Sequence, residues 1–317
     1  MASFFLDDTR RMRTAWRFAI FGCGFLAIQI VVGILVVVGL VVYLAAKGSS
    51  PDALIKNPRV LDEWQVPLQI IASAPLTAGT FGFVWICRKY LDRRSLSSLG
   101  LHKPGSSHSQ SVTGGFLAGS IPIVAVIGFL LGKGCLVWEG VSGSLQTALL
   151  VPTFVVMAFF EEIVCRGYLL QNLIDIRRPV FGMLFSSAVF WLLHALNPAA
   201  WSSPIVSINL FGAGIVLALA YRASGNIWFP TAMHCGWNLA QGVLFELPVS
   251  GIRTDGLFDV RVVESAPAWL TGGAFGIEGS ILTTFSEVCL AALLGFVLRM
   301  HTPRPESVEP PATIFLE

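Results

Sequence analysis

Residues 145–170 read LQTALLVPTFVVMAFFEEIVCRGYLL, an apolar run that carries two acids and an arginine near its end. A bilayer core about 30 Å thick needs about 20 mostly apolar residues per helical crossing, which this run supplies. A charged side chain at bilayer depth costs about 2.5–3.5 kcal/mol on insertion scales, so such residues usually turn toward the inside of a bundle. Glu161, Glu162 and Arg166 therefore mark a helix surrounded by other helices.

The rest of the chain supplies those helices. Seven further apolar stretches run over Ala15–Ala46, Val66–Cys87, Gly114–Leu136, Val180–Leu196, Ile205–Tyr221, Ile227–Phe245 and Ile281–Leu298. Of the 317 residues, 54% are hydrophobic and 13% charged, against roughly 45–50% and about 25% in soluble domains. The mean hydropathy is +0.72. That balance excludes an ordinary soluble enzyme and a disordered chain, and a net charge of +2 gives no reason to expect a nucleic-acid partner. The expectation is all-α: a polytopic transmembrane bundle of about eight spans in one domain, residues 1–300, with a core about 145–246. A Pro-rich tail, 301–317, is expected to be disordered and cytoplasmic. The first stretch exceeds one bilayer thickness and reads as a retained helix rather than a cleaved leader.

Orientation follows from the basic residues. With eight spans, fifteen of the 21 Lys and Arg fall on the side of both termini, including Arg10, Arg11, Arg13, Arg88, Arg93, Arg94, Arg177 and Arg178. The positive-inside rule then predicts both termini in the cytoplasm. The six cysteines are scattered without a C-x-x-C pair and read as small hydrophobes in helix interfaces. Trp16, Trp85, Trp138 and Trp228 fall near span ends, as interfacial anchors do.

Two more spans carry polar groups at depth: Phe190-Trp191-Leu192-Leu193-His194 and His234-Cys235-Gly236-Trp237-Asn238. Glu162 and Arg166 are i,i+4 and can pair, leaving Glu161 about 100° round the helix. His234 and Asn238 share a face by the same spacing. Glu161 and His194 lie symmetrically about a turn near Arg177–Arg178, so antiparallel helices meeting there hold both at similar depth, able to share one water. A carboxylate in a low-dielectric site can act as general base toward water. An imidazole and an amide can donate to a carbonyl oxygen as it becomes an oxyanion. Glu161, His194 and His234 also resemble the ligand set of a hydrolytic zinc site with one position left for water. The sequence leaves both routes open, and both end in water attacking an amide.

The three motifs E-E-x-x-x-R, F-x-x-x-H and H-x-x-x-N, in this order on three helices, resemble the CPBP family. That family holds the CAAX type II prenyl endopeptidases and the Abi, or bacteriocin-processing, relatives. Every motif position is filled here, across residues 161–238. The resemblance implies an intramembrane endopeptidase in which Glu161 activates water, His194 helps hold it, and His234 and Asn238 stabilise the oxyanion. Glu162 and Arg166 would organise the site, with Glu162 assisting. Members are described both as metalloproteases and as metal-independent glutamic proteases, so zinc on Glu161, His194 and His234 stays open. The implied partners are the bilayer and a peptide or protein substrate, lipidated or membrane-embedded. The implied location is a bacterial cell membrane or an endomembrane.

Other residues read more plainly. Phe190 is expected to pack. Glu246 lies near a helix end, and His102, His108 and His301 are expected on solvated surface. Glu287, an acid in the last span without a visible partner, is left outside the site. A proton-coupled transporter or a non-catalytic membrane scaffold is the competing class, because Glu, His and Arg within a bundle also build proton relays. Against transport, no internal repeat is visible.

Overall fold

The structure, a computed structural model, describes residues 12–47, 59–101 and 106–301. Arg10, Arg11, His102 and the expected disordered tail beyond His301 lie outside them. All eight apolar stretches fold as helix. These are α1 (Thr14–Ala46), α2 (Arg59–Ile86), α3 (Ser106–Gly132), α4 (Leu145–Asp175), α5 (Pro179–His194), α6 (Pro204–Ser224), α7 (Trp228–Asn238) and α8 (Ile281–His301). Six are long and apolar enough to cross a membrane. Of the other two, α5 is a shorter apolar helix, and α7 runs on through a π-helical stretch, Leu239–Leu244. Helices suit this setting because lipid offers backbone groups no partner, so each must be satisfied within its own segment. This is an integral, multi-pass membrane protein.

Local chemistry fixes the helix ends. Ser144 caps α4, its hydroxyl accepting from the N–H groups of Gln146 and Thr147 while Thr147 returns a bond to the Ser144 backbone. Pro179 and Pro204 occupy first-turn positions, where a missing N–H costs nothing. Gly225 closes α6 with φ of 67°, a conformation glycine adopts without strain. The α4–α5 turn lies at Arg177–Arg178, where the motif symmetry places it.

Several helix boundaries differ from the sequence reading. The third stretch stops at Gly132, and Leu136–Val141 forms a strand, β1, antiparallel to β2 (Phe258–Val262). The fifth ends at His194 rather than Leu196. The long 246–280 connection carries β2 and folds back over the bundle end. It is tied there by Asn197 Nδ2 to the Ser250 carbonyl (3.0 Å), and closed on itself by Gly251 N–H to the Phe275 carbonyl (2.9 Å).

The core has two main parts. At the α1–α2–α4 interface, aromatic rings dominate: Phe21 stacks on Tyr168 at 4.2 Å between centroids, with Phe25, Phe83 and Phe160 beside them. Beneath the cap, Ile123, Ile127 and Leu130 of α3 pack with Leu136, Leu247 and Val260. At one end of the aromatic core Arg17 and Arg88 share the buried carboxylate of Asp92, both at 3.0 Å, and Arg88 also reaches Asp175 at 3.1 Å. That cluster joins α1, the end of α2 and α4. Among the cysteines, Cys87, Cys165 and Cys235 are buried, whereas Cys23 and Cys289 face outward.

Helices α3 and α7 meet backbone to backbone. Gly115 and Gly119, four apart on α3, abut Phe229 and Met233, and Gly236 on α7 abuts the Phe116 carbonyl. Small residues at this spacing let helices approach closely in lipid. A Cβ at Gly119 would lie 1.9 Å from the Met233 carbonyl oxygen, so Gly119→Ala must push α7 away just before His234. We expect it to lower stability by about 1–3 kcal/mol and to reduce any site activity. The check is the unfolding midpoint against Gly128→Ala, whose Cβ would meet nothing within 4 Å and which should behave as wild type.

Candidate active site

The six residues singled out by sequence converge from α4, α5 and α7. Glu162 and Arg166 are fully buried. Arg166 Nη1 donates to Glu162 Oε1 at 2.9 Å, and Nη2 donates to the Gly214 carbonyl of α6 at 2.9 Å. The guanidinium also lies over the Phe190 ring, 4.7 Å from its centroid. Gly214 permits this, because a Cβ there would run into Ser187 of α5. One ion pair thus connects three helices, and Phe190 packs against both the cation and the two histidines.

Both imidazoles are oriented by their Nδ1 atoms. His194 Nδ1 lies 2.8 Å from the Phe190 carbonyl and His234 Nδ1 lies 3.2 Å from Glu162 Oε1. A carbonyl can only accept, so His194 Nδ1 carries the proton, and the shared carboxylate assigns His234 the same tautomer. In the neutral rings each Nε2 is then a lone pair. Both lone pairs face Glu161 Oε2, at 3.6 Å from His194 and 3.9 Å from His234. These gaps are too long for direct hydrogen bonds, and the buried Oε2 has no partner. Asn238 lines the adjoining cavity. The contact between Glu162 and His234 was not anticipated from sequence; spacing linked His234 only to Asn238.

In α4 the backbone passes into a π-helical stretch, Ile163–Leu170, directly after Glu161 and Glu162 and carrying Arg166, and in α7 into another, Leu239–Leu244, directly after Asn238. Such wide turns recur at functional sites, where they re-aim side chains that a regular helix would place elsewhere.

The cavity holds about 70 Å³, room for a few waters. His194, His234 and Asn238 line one part. Asn209, Ser250, Glu278 and Glu287 line another, and sequence reasoning gave none of these four a place in the site. Asn209 holds the cap: its Nδ2 donates to the carbonyls of Glu278 (2.7 Å) and Ser280 (2.8 Å), and its Oδ1 accepts from Thr284. A lone Asn in an apolar span was the available signal. Glu278 accepts from the Ser250 backbone N–H. It sits in a Gly-rich connection without periodicity, so no sequence signal pointed to it. Glu161, His194 and His234, the set that sequence left open as zinc ligands, do face one another. Among the described residues, however, no group of three or more His, Cys, Asp or Glu is arranged to hold a metal ion.

Residues 143–240 match the family described as type II CAAX prenyl endopeptidase Rce1-like. The segment resembles this family over about a third of the chain, and the match takes in all three motifs and supports the likeness to the CPBP family. No curated protein matches the chain, and no solved structure matches it.

Two predictions arise here. Arg166→Ala strands Glu162 as an unpaired buried charge next to His234 and should destabilise the Rce1-like core by about 3–5 kcal/mol. Arg166→Lys, lacking the planar fork that reaches Glu162 and Gly214 together, should fall between Ala and wild type; chemical unfolding of the three proteins checks the order. Burial pushes the Glu278 carboxyl from 4.5 to about 7, with Glu161 adding to the rise, while the Ser250 N–H and His234 pull the other way. The folded chain therefore keeps a proton that the unfolded chain releases. This stabilising contribution is complete below about pH 4.5 and is lost as pH rises through about 7. Glu278→Gln should flatten the fall in stability between pH 5 and 7.5, read from unfolding midpoints across that range.

Proposed function

We propose that the chain is an intramembrane endopeptidase that hydrolyses a peptide bond with water activated by Glu161 and His194. The observation that carries this reading is the unpartnered Glu161 Oε2 facing two imidazole nitrogens at 3.6 and 3.9 Å. A carboxylate and an Nε2 lone pair are both acceptors. A water between Glu161 and His194 would give one hydrogen to each, leaving its oxygen lone pairs free to attack.

In the proposed reaction Glu161 takes a proton as the water oxygen bonds to the substrate carbonyl carbon. The carbonyl π pair moves to oxygen. Asn238 Nδ2–H donates to that oxyanion, as does His234 Nε2–H in the imidazolium form, which the Glu162 carboxylate stabilises through Nδ1. Glu161 then passes its proton to the departing amide nitrogen, the C–N bond breaks, and the carboxylate is restored for another cycle. Glu162 and Arg166 act as positioning residues: Glu162 orients the His234 ring through Nδ1, and Arg166 holds Glu162. The same reading assigns a substrate that is lipidated or embedded in the bilayer, since the site lies within a membrane bundle.

Glu161→Gln keeps the volume and removes the base. Terminal-peptide proteomics on membranes from cells making wild type or Glu161→Gln at matched levels should find new termini with wild type alone. Asn238→Ala should reduce those termini by about 10²-fold, the usual effect of losing one oxyanion donor. Coincident profiles from two folded, abundant proteins would overturn the protease assignment.

A further inference from the structure

The cavity beside the proposed catalytic group has a second, acidic part. Glu287 projects from α8 into it, is 8% exposed, and forms no hydrogen bond or ion pair among the described residues. The opposing wall makes room for it: a Cβ at Gly212 of α6 would lie 2.3 Å from Glu287 Oε2. Glu278 lines the same cavity from the cap, with one oxygen taken by the Ser250 N–H. Around them the walls are aliphatic, including Leu210, Val216, Leu217 and Leu290, and among the described residues no Lys or Arg lines the space.

Carboxyls at such a depth are costly unless something faces them. Arg166 and His234 answer Glu162 Oε1 at the proposed catalytic group, and Arg17, Arg88 and Asn172 answer Asp92. Glu287 has no such internal answer. Low-dielectric walls around one sign of charge focus the field within a cleft and favour an entering group of opposite sign. The cavity continues to His194, His234 and Asn238, so a group held at Glu287 belongs to the molecule whose carbonyl is at the site.

We propose that Glu287 and Glu278 form a specificity subsite for a basic side chain, Lys or Arg, at one fixed position near the scissile bond of the peptide substrate. This rests on the endopeptidase reading of the neighbouring group. A guanidinium or ammonium there gains charge-assisted hydrogen bonds to Glu287 and to the Glu278 oxygen not taken by Ser250. The aliphatic walls cover its methylene stem. Glu278, titrating near 7, adds its full charge above neutrality, so selection strengthens as pH rises.

The test is digestion of a library of lipid-anchored, proteome-derived peptides, co-reconstituted with the purified full chain in lipid nanodiscs, with cleavage sites sequenced. Wild type should enrich Lys or Arg at one position about tenfold over library frequency. Glu287→Gln, near-isosteric, should erase the enrichment while cleavage of neutral peptides continues; Glu287→Lys should turn it toward Asp and Glu. Glu278→Gln, as an independent variant, should weaken it at pH 8 more than at pH 6. Cleavage by wild type without a basic preference, or an unchanged preference in Glu287→Gln, overturns the subsite and leaves the endopeptidase reading standing. No cleavage of any peptide by folded wild type overturns both.

Discussion

The carboxylate of Glu162 is the constraint on which the site depends. It is fully buried, and its Oε1 serves Arg166 and His234 together. Arg166 in turn reaches the Gly214 carbonyl and lies over Phe190. Through one acid, α4, α5, α6 and α7 are held in mutual register. A buried ion pair is weak evidence for stability in itself, because desolvation offsets much of its Coulombic gain. Its value here is directional: the pair itself lies within α4, but the Gly214 carbonyl, the Phe190 ring and His234 meet it only when α6, α5 and α7 take these positions.

Close backbone approach supplies what the ion pair cannot. Lipid tails are as apolar as leucine, so helices in a membrane associate through packing and polar contacts rather than through escape from water. Gly115, Gly119 and Gly236 bring α3 and α7 into direct backbone contact, flanking His234 on both sides in sequence. Gly214 does the same for α5 and α6 and thereby offers its carbonyl to Arg166. The π-helical stretches after Glu162 and Asn238 complete the positioning, because they let each helix change phase directly beyond the residues it presents.

What the sequence revealed, and what it hid, divides along a physical line. Apolar run length is set by bilayer thickness, so the eight helices were readable, as was the turn at Arg177–Arg178. The i,i+4 rule foretold the Glu162–Arg166 pair because both partners lie on one helix. Contacts between helices distant in sequence follow no such period: Glu162 with His234, 72 positions apart, was invisible. The 246–280 connection was equally opaque. Its shape rests on side-chain bonds such as Asn209 to Ser280, and on β2 pairing with β1 more than 100 residues earlier. Neither hydropathy nor motif spacing encodes these. Asn209 and Glu287 were readable as polar residues within apolar spans, but a single polar residue gives no direction to its partner.

The polar groups fall into three arrangements that differ in completeness. Around Asp92, two arginines and Asn172 satisfy both carboxylate oxygens, and the result is a closed structural joint. Around Glu162, Arg166 and His234 satisfy one oxygen and leave Oε2 without a partner. At Glu161 and at Glu287 no hydrogen-bond donor among the described residues completes the carboxyl. Burial of an unmet acceptor costs about 1–3 kcal/mol or more, and a fold with Arg17, Arg88 and Arg166 in place has the means to avoid it. The incomplete acids adjoin one cavity, whereas the completed Asp92 joint lies apart from it. At Glu161 an incoming water, and at Glu287 a cationic side chain, would bring the missing donor.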